Sequence, residues 1–121
     1  MKKELLLGIL LAAASATASC AQDAPPDAAP GPAPGEQQAH AAIVAMFGGA
    51  SELEGTTVKL GTCLPALAPE HAGQIACTFA LASAGGSSES QADFHWDGRR
   101  WVAQPSSSQE ILPFPDSKLS Q

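Results

Sequence analysis

Hydrophobic and polar positions change period several times along the chain, and each change marks a different element. Leu5 to Ala14 is an apolar run interrupted only by Gly8, with no polar stripe to face water. As a helix, ten such residues span about 15 Å, roughly half a bilayer's hydrocarbon core, so the run is too short for a stable membrane span. Ala24 to Gly35 reads APPDAAPGPAPG, with five prolines and no large apolar side chain. Nothing there can bury a core, and proline favours an extended polyproline spacer. Glu36 to Phe47 has helical spacing, with Ala39, Ile43, Met46 and Phe47 on one face and Gly48-Gly49 as the stop. Ser51 to Glu54 has the spacing of a capping box, but Gly55 limits it to a single turn.

From Thr56 the period becomes two. The pattern predicts strands at Thr56–Leu60, Ile75–Leu81, Gln91–Trp96 and Arg100–Ala103. Asp97-Gly98 is a two-residue hairpin signal, because glycine accepts the positive φ that a type I′ turn requires. With that turn, Trp96 faces Arg99, Phe94 faces Trp101 and Ala92 faces Ala103. A similar turn at Gly85-Gly86 sets Phe79 against Ala92, Cys77 against Phe94 and Ile75 against Trp96. Both turns place Ile75, Cys77, Phe79, Leu81, Ala92, Phe94, Trp96 and Trp101 on one face of the sheet. Thr78, Asp93, His95, Arg100 and Gln104 fall on the other, which suits water. The helix has to bury its stripe, and the aromatic face offers the place. The expected fold class is α+β: one N-terminal helix packed on a four-stranded antiparallel meander. This order of elements resembles the cystatin-like and nuclear-transport-factor-2-like groups, whose curved sheets wrap a helix and can enclose a pocket.

Three cysteines occur, Cys20, Cys63 and Cys77. Cys63 and Cys77 bracket a proline-containing loop between the first two strands, and in an oxidising compartment they should form a structural disulfide. Their wide separation does not suit a CxxC-type redox pair. A direct Cys63–Cys77 pairing would turn Val58 and Leu60 outward, so a bulge near Gly61 is expected, or else Cys63 beyond the strand end.

Cys20 is tied to the N-terminus. Met1-Lys2-Lys3, the apolar run and the small residues up to Ser19 follow the order of a secretory leader. Ala16-Thr17-Ala18 would permit cleavage that frees a soluble protein starting at Ser19. Alternatively, Thr17-Ala18-Ser19-Cys20 resembles the lipobox of bacterial lipoproteins, with Thr17 where that family usually carries Leu. That resemblance implies lipidation of Cys20 as the new first residue, which would also remove the odd thiol. Ala21 and Gln22 then imply the outer membrane, facing the periplasm, since the usual retention signal is Asp directly after the cysteine. The soluble alternative is periplasmic or secreted. From Cys20 to Gly35 the spacer could hold a domain about 45 Å from its anchor. The expected organisation is a signal peptide at 1–19, a lipidated cysteine and tether at 20–35, a small domain at 36–104, and an extended tail at 105–121.

Charge narrows the partners. Losing Lys2, Lys3 and Glu4 takes the basic count from 6 to 4, the acidic count from 12 to 11, and the net charge from −6 to −7. Four cations (Lys59, Arg99, Arg100, Lys118) cannot neutralise many phosphates, so nucleic acid is not an expected partner. Catalytic signatures are missing: His40, His71 and His95 form no metal-ligand spacing, and no G-x-S-x-G or phosphate loop occurs. No cofactor or metal is expected. An enzyme would need a cleft in which His95 or His71 meets a carboxylate.

One surface invites a binding hypothesis. The hairpin Trp96-Asp97-Gly98-Arg99-Arg100-Trp101 puts two arginines side by side between two tryptophans, the residue types that dominate interface hot spots. The bland reading makes the tryptophans core and the arginines solubilising. The expected function is a non-enzymatic envelope lipoprotein whose domain binds another protein, as an assembly accessory or an inhibitor of a lytic enzyme or toxin. The alternative is a carrier of a small molecule or lipid. A cavity among Phe79, Phe94 and Trp101 would favour the carrier, and a filled core the protein binder.

Overall fold

The structure is a computed structural model that describes residues 28–120. The expected leader and the lipidation site Cys20 lie outside the described residues. The helix α1 spans Glu36–Met46, followed by strands β1 (Thr57–Pro65), β2 (Ile75–Ser83), β3 (Gly86–Trp96) and β4 (Trp101–Pro105). The four strands form one antiparallel sheet in the order β1-β2-β3-β4, and the fold is α+β as expected.

Both ends of α1 are set by local chemistry. At the N-terminus the Gln38 side chain accepts the Gly35 N–H at 2.8 Å, and Glu36 places a carboxylate against the positive end of the helix dipole. At the C-terminus Gly48 and Gly49 both adopt positive φ, and their N–H groups bond the carbonyls of Ala45 and Val44. That is a Schellman-type stop, which only glycine makes without strain. Phe47 is the capping residue, beyond the last helical turn, and it is 55 % exposed. It therefore does not join the core stripe. Ala42 takes its place beside Ala39 and Ile43, with Met46 partly buried.

The core forms between α1 and one face of the sheet. Ile43, Val58, Cys77, Phe79, Ala92, Phe94, Trp101 and Ala103 are its buried members, with Leu60, Cys63, Ile75, Leu81 and Trp96 packed around them. The inward face is the one the alternation predicts, but both hairpin registers differ by two residues. Ser83 pairs with Gly86, so Cys77 lies opposite Ala92 and Phe79 opposite Ser90. Trp96 pairs with Trp101 and Phe94 with Ala103. Because side chains alternate with period two, a slip of two leaves every residue on its expected face.

The β1–β2 pair carries the expected bulge. Leu60 pairs with Phe79 and Cys63 with Cys77, so Gly61 and Thr62 together oppose Thr78 alone. This extra residue lets Val58, Leu60 and Cys63 all face the core. The Cys63–Cys77 disulfide is present, with the Cα atoms 4.1 Å apart.

The opposite face departs from expectation. Thr78, Asp93 and His95 do not face water; Thr78 and Asp93 are essentially fully buried. The loop between β1 and β2 and the segment after β4 cover them. Leu67 N–H donates to Ser108 Oγ, Gln74 Nε2 donates to Asp93 Oδ2, and the Thr78 hydroxyl donates to Asp116. The Asp116 carboxylate also accepts the Thr62 N–H at 2.9 Å, and its own N–H donates to Glu89. Arg100 on this face remains exposed and Gln104 is half-buried.

Candidate functional site

The β3–β4 hairpin owes its shape to Asp97. Its Oδ1 accepts the N–H groups of Arg99 and Arg100, each at 2.9 Å, while its own N–H donates to the Arg100 carbonyl at 3.0 Å. The connection is therefore four residues, Asp97 to Arg100, rather than two. Those two N–H groups hold the Asp97 carboxyl below the usual carboxylate range. Its Oδ2 lies 3.8 Å from Arg100 Nε, a loose ion pair on an open surface.

With that loop, Trp96 and Trp101 become cross-strand neighbours. Their rings meet edge to face, 5.7 Å apart and inclined by 68°. Trp101 is buried in the core and Trp96 is half-buried, while Arg99 and Arg100 are exposed. Neither indole N–H has a hydrogen-bond partner among the described residues.

A groove of about 530 Å³ runs between α1 and this hairpin. Gln38, Ala41, Ala45 and Met46 form its helical wall, and Trp96, Trp101, Val102 and Ala103 the sheet wall. Asp97, Arg99 and Arg100 stand at its rim. Short alanine side chains let the helix surface sink here, so an open trough forms instead of a filled contact. All four hairpin residues singled out from the sequence (Trp96, Arg99, Arg100, Trp101) border it. The helical wall cannot be read from the sequence, because no local pattern specifies where α1 packs. A hollow under the aromatic face is not what the fold builds: Phe79, Phe94 and Trp101 are all at least nine-tenths buried in the packed core.

Two histidine arrangements bear on catalysis. His71 stacks face to face on His95, with ring centroids 3.6 Å apart. Burial, and then the neighbouring His71, push the His95 pKa down. Neither imidazole hydrogen-bonds a carboxylate among the described residues, and Asp93 Oδ2 is held by Gln74 instead. Elsewhere, His40 Nε2 lies 2.9 Å from Thr56 Oγ1. The Thr56 hydroxyl proton is committed to the Leu53 carbonyl, so His40 must donate and cannot act as its base. No cluster of three or more His, Cys, Asp or Glu suited to a metal ion occurs among the described residues. Among those residues, too, no helix is long and apolar enough to cross a membrane.

No protein-family model, curated protein or solved structure matches the chain.

Proposed function

We propose that this chain is an envelope lipoprotein, anchored through Cys20 and spaced by its proline-rich tether, whose domain is a non-enzymatic protein-binding module. The groove between α1 and the Trp96–Trp101 hairpin is its binding surface. One observation carries this reading: the space beside the tryptophans is an open trough at the surface, whereas the core behind it is filled. A carrier must bury most of its ligand, which needs an enclosed pocket. A trough with an apolar floor and a charged rim, two arginines against one aspartate, suits a segment laid across it.

Photo-crosslinking tests the binding surface in the lipidated full-length protein within intact envelopes. Probes replacing Arg99 or Met46 are expected to trap the same protein, and a probe replacing Ser87 at the other hairpin is not. Lipid or metabolite adducts at Arg99 and Met46, with no protein adduct, would sink the reading in favour of a carrier. The intact mass of the same material tests the anchor, through an acylated Cys20 as first residue. A mass beginning at Ser19 without acyl chains would refute it.

A further inference from the structure

The two edges of the sheet are treated differently. On β1 an acidic side chain caps an outward donor: Glu36 accepts the Leu60 N–H at 3.0 Å. On β4 nothing comparable occurs. The hydrogen bond from Asp97 N–H to the Arg100 carbonyl makes Trp96–Trp101 a non-hydrogen-bonded pair, so Val102 bonds to β3 while Trp101 and Ala103 turn their N–H and C=O outward. Those outward groups have no partner among the described residues.

The groove runs along this open edge. Trp101, Val102 and Ala103, three consecutive residues of β4, all border the groove. Unpaired strand edges are templates for an added strand, and folds normally block them, as Glu36 does at Leu60 of β1.

We infer that the groove receives an extended, acidic segment of a partner protein, which adds to the sheet as a fifth strand beside β4. This rests on the proposed protein-binding role of the groove and specifies the partner's chemistry. Main-chain bonds from Trp101 and Ala103 would hold the segment, and its alternate side chains would lie on Ala41, Ala45 and Met46 of α1. Carboxylates at one end would meet Arg99 and Arg100, two of the four cations among the described residues. A second copy of this chain fits poorly. Its own β4, paired antiparallel, would bring Pro105, Ser106 and Ser107 to the arginines, with no carboxylate and with one N–H missing.

The test uses the oxidised full-length chain and a synthetic ten-residue probe of alternating Val and Thr ending in two Glu. Amide NMR is expected to show shifts centred on Trp101 to Ala103. Affinity should fall at least tenfold when the two Glu become Lys, when Arg99→Glu/Arg100→Glu is introduced, or when the probe's alternate amides are N-methylated. Equal binding of the Lys probe, or shifts confined to β1, would overturn the inference. So would preferential binding to phosphatidylglycerol vesicles through the same arginines, or concentration-dependent self-association protecting the β4 amides. If the probe fails while Arg99 and Met46 crosslinks still trap one protein, the strand-addition inference falls and the protein-binding reading stands. If both fail, both fall.

Discussion

Asp116 accepts a hydrogen bond from the hydroxyl of Thr78, 38 positions earlier, and so fastens the C-terminal segment across the outer face of the sheet. The same carboxylate accepts the N–H groups of Thr62 and Lys118. The Thr78 hydroxyl foremost, then these backbone donors, holds the Asp116 carboxyl well below the usual carboxylate range. Asp116→Ala is expected to lower the melting temperature and expose the segment after Pro105. Limited proteolysis with mass spectrometry would show new cuts between 106 and 120; an unchanged digest would contradict this.

A depressed carboxyl pKa also sets an acid limit. The charged form is favoured by the fold, so its stabilisation is complete above the unfolded carboxyl's pKa and is lost as pH falls through the folded one. The melting temperature should therefore drop as pH falls from about 5 towards 2. The drop should be smaller in Asp116→Asn.

Gly61 is the position where this fastening is tightest. A Cβ there would meet the Thr78 hydroxyl, would lie 2.6 Å from Asp116 Oδ2 and would lie 3.0 Å from Leu119 Cγ. Gly61→Ala is expected to cost about 1–3 kcal/mol in urea unfolding. Combined with Asp116→Ala, the loss should be less than additive, because both changes release the same segment.

His95 predicts the behaviour nearer neutrality. Its pKa is lowered by burial and by His71, so the folded state prefers the neutral ring. Its contribution is present above the ordinary histidine pKa and is lost as pH falls below it. Thermal stability should fall between about pH 7 and 5. His95→Phe keeps a ring for the His71 stack and should flatten this part of the profile.

The Cys63–Cys77 bond closes a loop with a sequence separation of 14. On the chain-entropy account, its reduction should remove about 3 kcal/mol. Unfolding midpoints with and without reductant measure this, and the double substitution Cys63→Ala/Cys77→Ala should match the reduced protein.

Much of this architecture is legible in the residues. Alternation assigns the inward face of β2 and β3 correctly, and the clash between Cys63 pairing and the burial of Val58 and Leu60 demands the bulge. The hairpin registers were not legible, because Asp97 spends its side chain on the N–H groups of Arg99 and Arg100 and so lengthens the turn. Nor was the burial of Thr78, Asp93 and His95. Their cover comes from loop 66–74 and the segment after Pro105, which have no periodicity and are tied down by the side chains of Gln74, Ser108 and Asp116. The hairpin side of the groove could be read from Trp96 to Trp101. Its other wall depends on where α1 lands, which no local pattern specifies.

The bulge at Gly61 and Thr62 works as a phase shift. On either side of it β1 obeys the same two-residue rhythm, but the two halves are out of step by one position, and only the extra residue reconciles them. Loss of Thr62 would force a choice between a buried Val58–Leu60 pair and an inward Cys63. Loops at the hairpin tips can change length in steps of two without turning any side chain over. This strand has no such freedom, so length variation there in related chains would have to be compensated by moving the cysteine itself.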